Sequence, residues 1–123
     1  MTEKEKVIAF IRKQQGGRFR VFDNTGQDKK VVAGQFPDLI FMQQEPPPNN
    51  NILFVLKIES GNNLVDSVPE WKAFGSVPST FYIVVPKGEK LDEAKKLVSA
   101  TGARARFAWY EIKDGNVTQV HYE

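Results

Sequence analysis

The sequence predicts a small α/β protein, a mixed central sheet flanked by helices. Three observations point to this class. Residues 3–15 and 89–101 repeat apolar side chains at helical spacing. Residues 81–85, Phe-Tyr-Ile-Val-Val, form a short and wholly apolar run, the pattern of a strand covered on both faces. Three strand-like segments separated by turn residues lie between the first helix and that run.

Each element follows from local chemistry. In residues 3–15, Val7, Ile8, Phe10 and Ile11 make one apolar stripe, and Gly16-Gly17 stops the helix. Arg18 to Phe22 alternates charged and apolar residues, as a half-exposed strand does, and 23–26 reads as a turn. Residues 35–44 form the next strand. Residues 45–51, rich in Pro and Asn, cannot be strand interior and are expected as a hairpin loop leading to a return strand over 52–60. Ser67-Val68-Pro69-Glu70 has the spacing of a capping box, with a short helix through Trp71 to Phe74 and an alternative start near Leu64. The helix over 89–101 points Leu91, Ala94, Leu97 and Val98 inward and ends at Gly102. A strand over 104–112 and a hairpin at Asp114-Gly115 lead into a last strand over 117–122. The expected order is helix-strand-strand-strand-helix-strand-helix-strand-strand, in one domain spanning 1–123.

The composition narrows the function classes. The chain has 123 residues, enough for one core. It carries 17 Lys and Arg against 15 Asp and Glu, a net +2 too mild to signal nucleic-acid binding by itself. Local basic clusters occur at Arg12-Lys13, Arg18/Arg20, Lys29-Lys30, Lys95-Lys96 and Arg104/Arg106. With no cysteine, disulfides and thiolate zinc sites are excluded. The sole histidine, His121, supports no triad or metal set. No apolar run is long enough to cross a bilayer, and the first residues are too polar for a secretory signal, so a cytoplasmic location is expected.

The chemistry lies in two apolar segments that contain ionisable groups, Phe36-Pro37-Asp38-Leu39-Ile40-Phe41 and Ile52 to Ser60 with Lys57 and Glu59 inside it. Burying charge costs several kcal/mol unless the group is paired or ligates an ion. Side chains alternate along a strand, so Lys57 and Glu59 share a face. Asp38 and Lys57 are equidistant from Pro47-Pro48, and a symmetric hairpin sets them opposite each other. Asp38 then lies diagonal to Glu59, about 7–8 Å away between backbones and within side-chain reach of a shared ion. A simple Asp38–Lys57 ion pair is the plain structural alternative.

Pro-Asp on one strand followed by charge-x-charge on the next resembles the PD-(D/E)XK nuclease superfamily, whose core the element order matches over about residues 3–112. By that resemblance Asp38 takes the place of the family aspartate. Lys57 stands where the second acid is expected and Glu59 where the lysine is expected, the reverse of the usual order. The resemblance implies a restriction-endonuclease-like fold and metal-dependent phosphodiester hydrolysis of DNA. Asp38 and Glu59 would hold Mg²⁺ or Mn²⁺, with Lys57, or Lys72 from the following helix, contacting water or phosphate. A fixed ammonium beside a cation repels it, so the reversed order either moves the ion toward Asp38 and Glu59 or abolishes binding, leaving a weakened or inactive enzyme. The alternative is a non-catalytic nucleic-acid-binding or protein-interaction module that keeps the fold. Nucleic acid, specifically DNA, is the expected partner, with no membrane association. A homodimer would supply recognition surface that so short a chain lacks. Ser67 reads as a helix cap, Trp71, Phe74 and Trp109 as core, and Glu5 as surface.

Overall fold

The structure is a computed structural model and describes residues 1–26, 29–44, 51–61 and 63–123. Three helices and six strands follow in the order α1 (Glu3–Gln15), β1 (Arg20–Asp23), β2 (Leu39–Met42), β3 (Ile52–Ile58), α2 (Val68–Gly75), β4 (Thr80–Pro86), α3 (Glu89–Thr101), β5 (Arg106–Lys113) and β6 (Asn116–Tyr122). A 3-10 turn, Leu64–Ser67, leads into α2. The strands form one sheet in sequence order, β1 to β6. The β3–β4 and β4–β5 pairs are parallel and the other three are antiparallel, so the sheet is mixed. The chain is therefore α/β, as its pattern indicates. Most of the expected 45–51 loop, residues 45–50, lies outside the described residues.

Strand alternation divides the apolar side chains into two cores. On one face Ile40, Val55, Ile83 and Val85 pack with Trp71 and Phe74 of α2 and Leu91 and Ala94 of α3. On the other, Leu39, Phe41, Leu56, Ile58 and Val84 pack with Val7, Ile8 and Ile11 of α1. β4 serves both cores, and Phe81 to Val85 are all buried. Each fully buried aliphatic side chain contributes roughly 1.5–3 kcal/mol, so the two layers fix which way every β3 side chain points.

The helix ends are set locally. Thr2 caps α1, accepting from the Glu5 amide while the Glu5 carboxylate accepts from the Thr2 amide. That is the reciprocal box which the sequence pattern suggested instead at Ser67. Ser67 makes no capping hydrogen bond to α2, because the 3-10 turn running into the helix holds it in a helical conformation (φ −90°, ψ −9°). Asp114 and Gly115 both have positive φ, the geometry of a two-residue hairpin turn between β5 and β6. Among the described residues, no helix is long and apolar enough to cross a membrane.

Candidate functional site

β2 begins and β3 ends at the same end of the sheet, and that is where the ionisable side chains gather. The ladder sets Leu39 opposite Leu56 and Ile40 opposite Val55, so one step further Asp38 lies opposite Lys57. The Asp38 amide donates to the Leu56 carbonyl at 3.0 Å, extending the ladder beyond β2. The Asp38 carboxylate does not reach Lys57. Its Oδ2 accepts from the Ile58 amide at 2.6 Å, and its Oδ1 lies 2.6 Å from the Lys4 ammonium.

Lys4 comes from the first turn of α1, which is tied down at three points. Tyr110 donates its hydroxyl to Glu3, Lys4 pairs with Asp38, and Lys6 donates to the Gly115 carbonyl at 2.6 Å. Burial, with the Glu3 carboxylate adding to it, pushes the Tyr110 phenol far up, so it stays a hydrogen-bond donor at any physiological pH. α1 therefore brings a fixed ammonium to the mouth of β2.

Alternation along β3 points Lys57 and Glu59 to the α2 side, the face of Val55. Lys57 lies 3.5 Å from Glu70 in the first turn of α2. Glu59 is 1% exposed. Its amide donates to the Val84 carbonyl, and its Oε2 accepts from the indole nitrogen of Trp71 at 2.8 Å. Lys4, Lys57, Glu59, Ser67 and Glu70 line an open hollow of about 400 Å³ at this end of the sheet. The cluster thus holds two ammonium groups and three carboxylates, each with a close partner.

Sequence reasoning placed Asp38, Lys57 and Glu59 at this end, and the structure brings Lys57 and Glu59 to one hollow with Asp38 tied to it through Lys4. Lys72 instead lines a separate hollow with Gly75, Ser76 and Arg104. Glu5 is taken up by the α1 cap, whose hydrogen bonds from Thr2 hold its carboxyl below the usual range. The two residues that sequence reasoning missed are Lys4 and Glu70. Both look like ordinary first-turn charges on amphipathic helices, and only the docking of α1 and α2 onto the sheet brings them here.

These residues are a poor fit to a divalent ion. Among the described residues, no three His, Cys, Asp or Glu side chains lie close enough together to hold a metal. One Asp38 oxygen already has a cation at 2.6 Å, and the Glu59 carboxylate accepts from an indole donor. At 4 Å from a retained ammonium, a divalent ion meets about 8 kcal/mol of repulsion at an effective dielectric of about 20. The network as built holds the ends of β2 and β3 to α1 and α2. No protein-family model, no curated protein and no solved structure matches this chain.

Proposed function

We propose that this chain is a non-catalytic nucleic-acid-binding module on a restriction-endonuclease-like scaffold, with DNA as its partner. The observation that carries the reading is the Lys4–Asp38 contact. It sets the positive charge of a lysine on the aspartate that the nuclease motif reserves for a metal. The reversed Lys57-x-Glu59 order fits the same picture. Each side chain satisfies a group on α2, the Glu70 carboxylate and the Trp71 indole respectively. Basic side chains away from this network supply the attraction to phosphate.

A second reading, a weak Mg²⁺- or Mn²⁺-dependent nuclease using Asp38 and Glu59, is favoured by the open hollow that Lys57, Glu59 and Glu70 share. Fluorescence anisotropy with a labelled DNA duplex in Mg²⁺, followed by a gel of the same samples, separates the two. The proposal expects binding that weakens steeply between about 50 and 200 mM salt and leaves the DNA intact. Cleavage that disappears in Asp38→Ala would establish the second reading. Salt-independent binding would contradict a phosphate-dominated surface.

A further inference from the structure

At the opposite end of the sheet, α2 and α3 both terminate beside the start of β4 and β5. Two adjoining hollows open there. One, about 380 Å³, is lined by Ser76, Ser79, Thr80, Arg104 and Arg106 among others. The other, about 320 Å³, shares Gly75, Ser76 and Arg104 with it and adds Lys72. Among the described residues, neither hollow has an acidic side chain in its lining.

Three basic side chains, Lys72, Arg104 and Arg106, gather at this end with no carboxylate among the described lining residues. Lys4, Arg12, Lys57, Lys87 and Lys95 each pair with a carboxylate. Lys72, Arg104 and Arg106 make no ion pair among the described residues. The ends of two helices account for only part of that charge. Each C-terminus carries about −0.5 of an elementary charge, so α2 and α3 together offset about one of the three positive charges. Both ends also have backbone caps of their own, Ser76 to Ala73 and Gly102 to Val98.

The cluster is also held by a rigid frame. A Cβ built on Gly75 would sit 2.4 Å from the Arg104 carbonyl oxygen, so α2 meets the segment entering β5 at a distance only glycine allows. That packing presents Arg104 beside the hydroxyls of the 76–80 loop. A concave site with about two unbalanced positive charges, planar guanidinium donors and several hydroxyls is chemically complementary to phosphate oxygens.

We infer that Arg104, Arg106 and Lys72 are the residues that grip the DNA backbone phosphates, at the end of the sheet remote from the Asp38–Glu59 network. This rests on the nucleic-acid reading above. It separates the binding surface from that network by the length of β4, roughly 20 Å at about 3.3 Å per residue. Three phosphate contacts give a salt slope near −2.7, about a 40-fold loss of affinity between about 50 and 200 mM salt.

The test compares wild type, Arg104→Gln/Arg106→Gln, the single variant Lys72→Gln and a charge-matched control, Lys13→Gln/Lys113→Gln, by anisotropy with one labelled duplex across a salt series. The four substituted basic side chains of the two double variants are exposed, and thermal melts check that every variant is folded. The expected result is a tenfold or greater loss in the arginine double variant with a salt slope smaller by about 2, a slope smaller by about 1 in Lys72→Gln, and little change in the control. If wild type binds and the arginine variant behaves as the control does, this inference falls and the nucleic-acid reading stands. If wild type binds no DNA, the reading itself falls, and this assignment with it.

Discussion

The Lys4 ammonium lies 2.6 Å from Oδ1 of Asp38, across the gap between the first turn of α1 and the entry to β2. The partner of Asp38 is therefore a helix residue distant in sequence, although Lys57 stands directly across the ladder. Lys57 is drawn instead to Glu70, and Glu59 to Trp71. The order of charges on β3 thus satisfies α2, Lys57 facing Glu70 and Glu59 facing Trp71.

These contacts predict the outcome of exchanging the two charges. Lys57→Glu with Glu59→Lys would place an ammonium at a position 1% exposed, facing an indole N–H donor, and a carboxylate against Glu70. An uncompensated buried charge costs about 3–5 kcal/mol. The double variant is expected to unfold at markedly lower urea concentration than wild type. Unchanged stability would show that Glu59 is not fixed by Trp71.

Trp71→Phe tests the same contact from the other side. It retains most of the ring volume and removes one donor to a buried carboxylate. The expected loss is about 1–3 kcal/mol, read from chemical denaturation. Combining it with Glu59→Leu should recover part of that loss, because the carboxylate left short of a donor is then gone.

Gly75→Ala should destabilise the chain by about 1–3 kcal/mol, because its Cβ meets backbone atoms of Arg104 that have no side-chain freedom with which to yield. A lowered melting temperature checks this. An alanine tolerated without loss would show that α2 and the entry to β5 can separate easily.

Asp23 supplies a pH test. Its carboxyl is held below the usual range first by the Thr25 hydroxyl, with the Thr25 amide and the Arg12 guanidinium adding to it against the opposing effect of burial. A depressed folded-state pKa gives stability that is present above the unfolded value of about 3.9 and lost as pH falls through the folded value. Wild type should therefore exceed Asp23→Asn in stability at neutral pH by up to about 1 kcal/mol, with the difference closing in strongly acidic solution. Denaturant titrations at several pH values measure it.

Much of the fold was legible because period and burial agree. The α1 stripe of Val7, Ile8 and Ile11, the doubly covered β4 and the Asp114-Gly115 turn each follow from local pattern. The β2–β3 register was legible for a similar reason, since Asp38 and Lys57 are symmetric about the prolines. Strand ends were less so. β2 is only Leu39–Met42, shorter than the expected 35–44, although the Asp38 amide adds one more ladder bond and its carboxylate accepts from the Ile58 amide. The site was half legible. Strand alternation gave Asp38, Lys57 and Glu59 their places, but their partners Lys4, Glu70 and Trp71 come from helices whose docking no local pattern encodes.

In the proposed reading the Lys4 ammonium takes the place of a cation at Asp38, and calorimetric titration with Mn²⁺ measures this directly. Wild type is expected to show no saturable Mn²⁺ binding up to millimolar concentration, and Lys4→Met, which frees the Asp38 carboxylate, is expected to gain weak binding. Saturable Mn²⁺ binding by wild type that is lost in both Asp38→Ala and Glu59→Ala would contradict that reading and identify a working metal site.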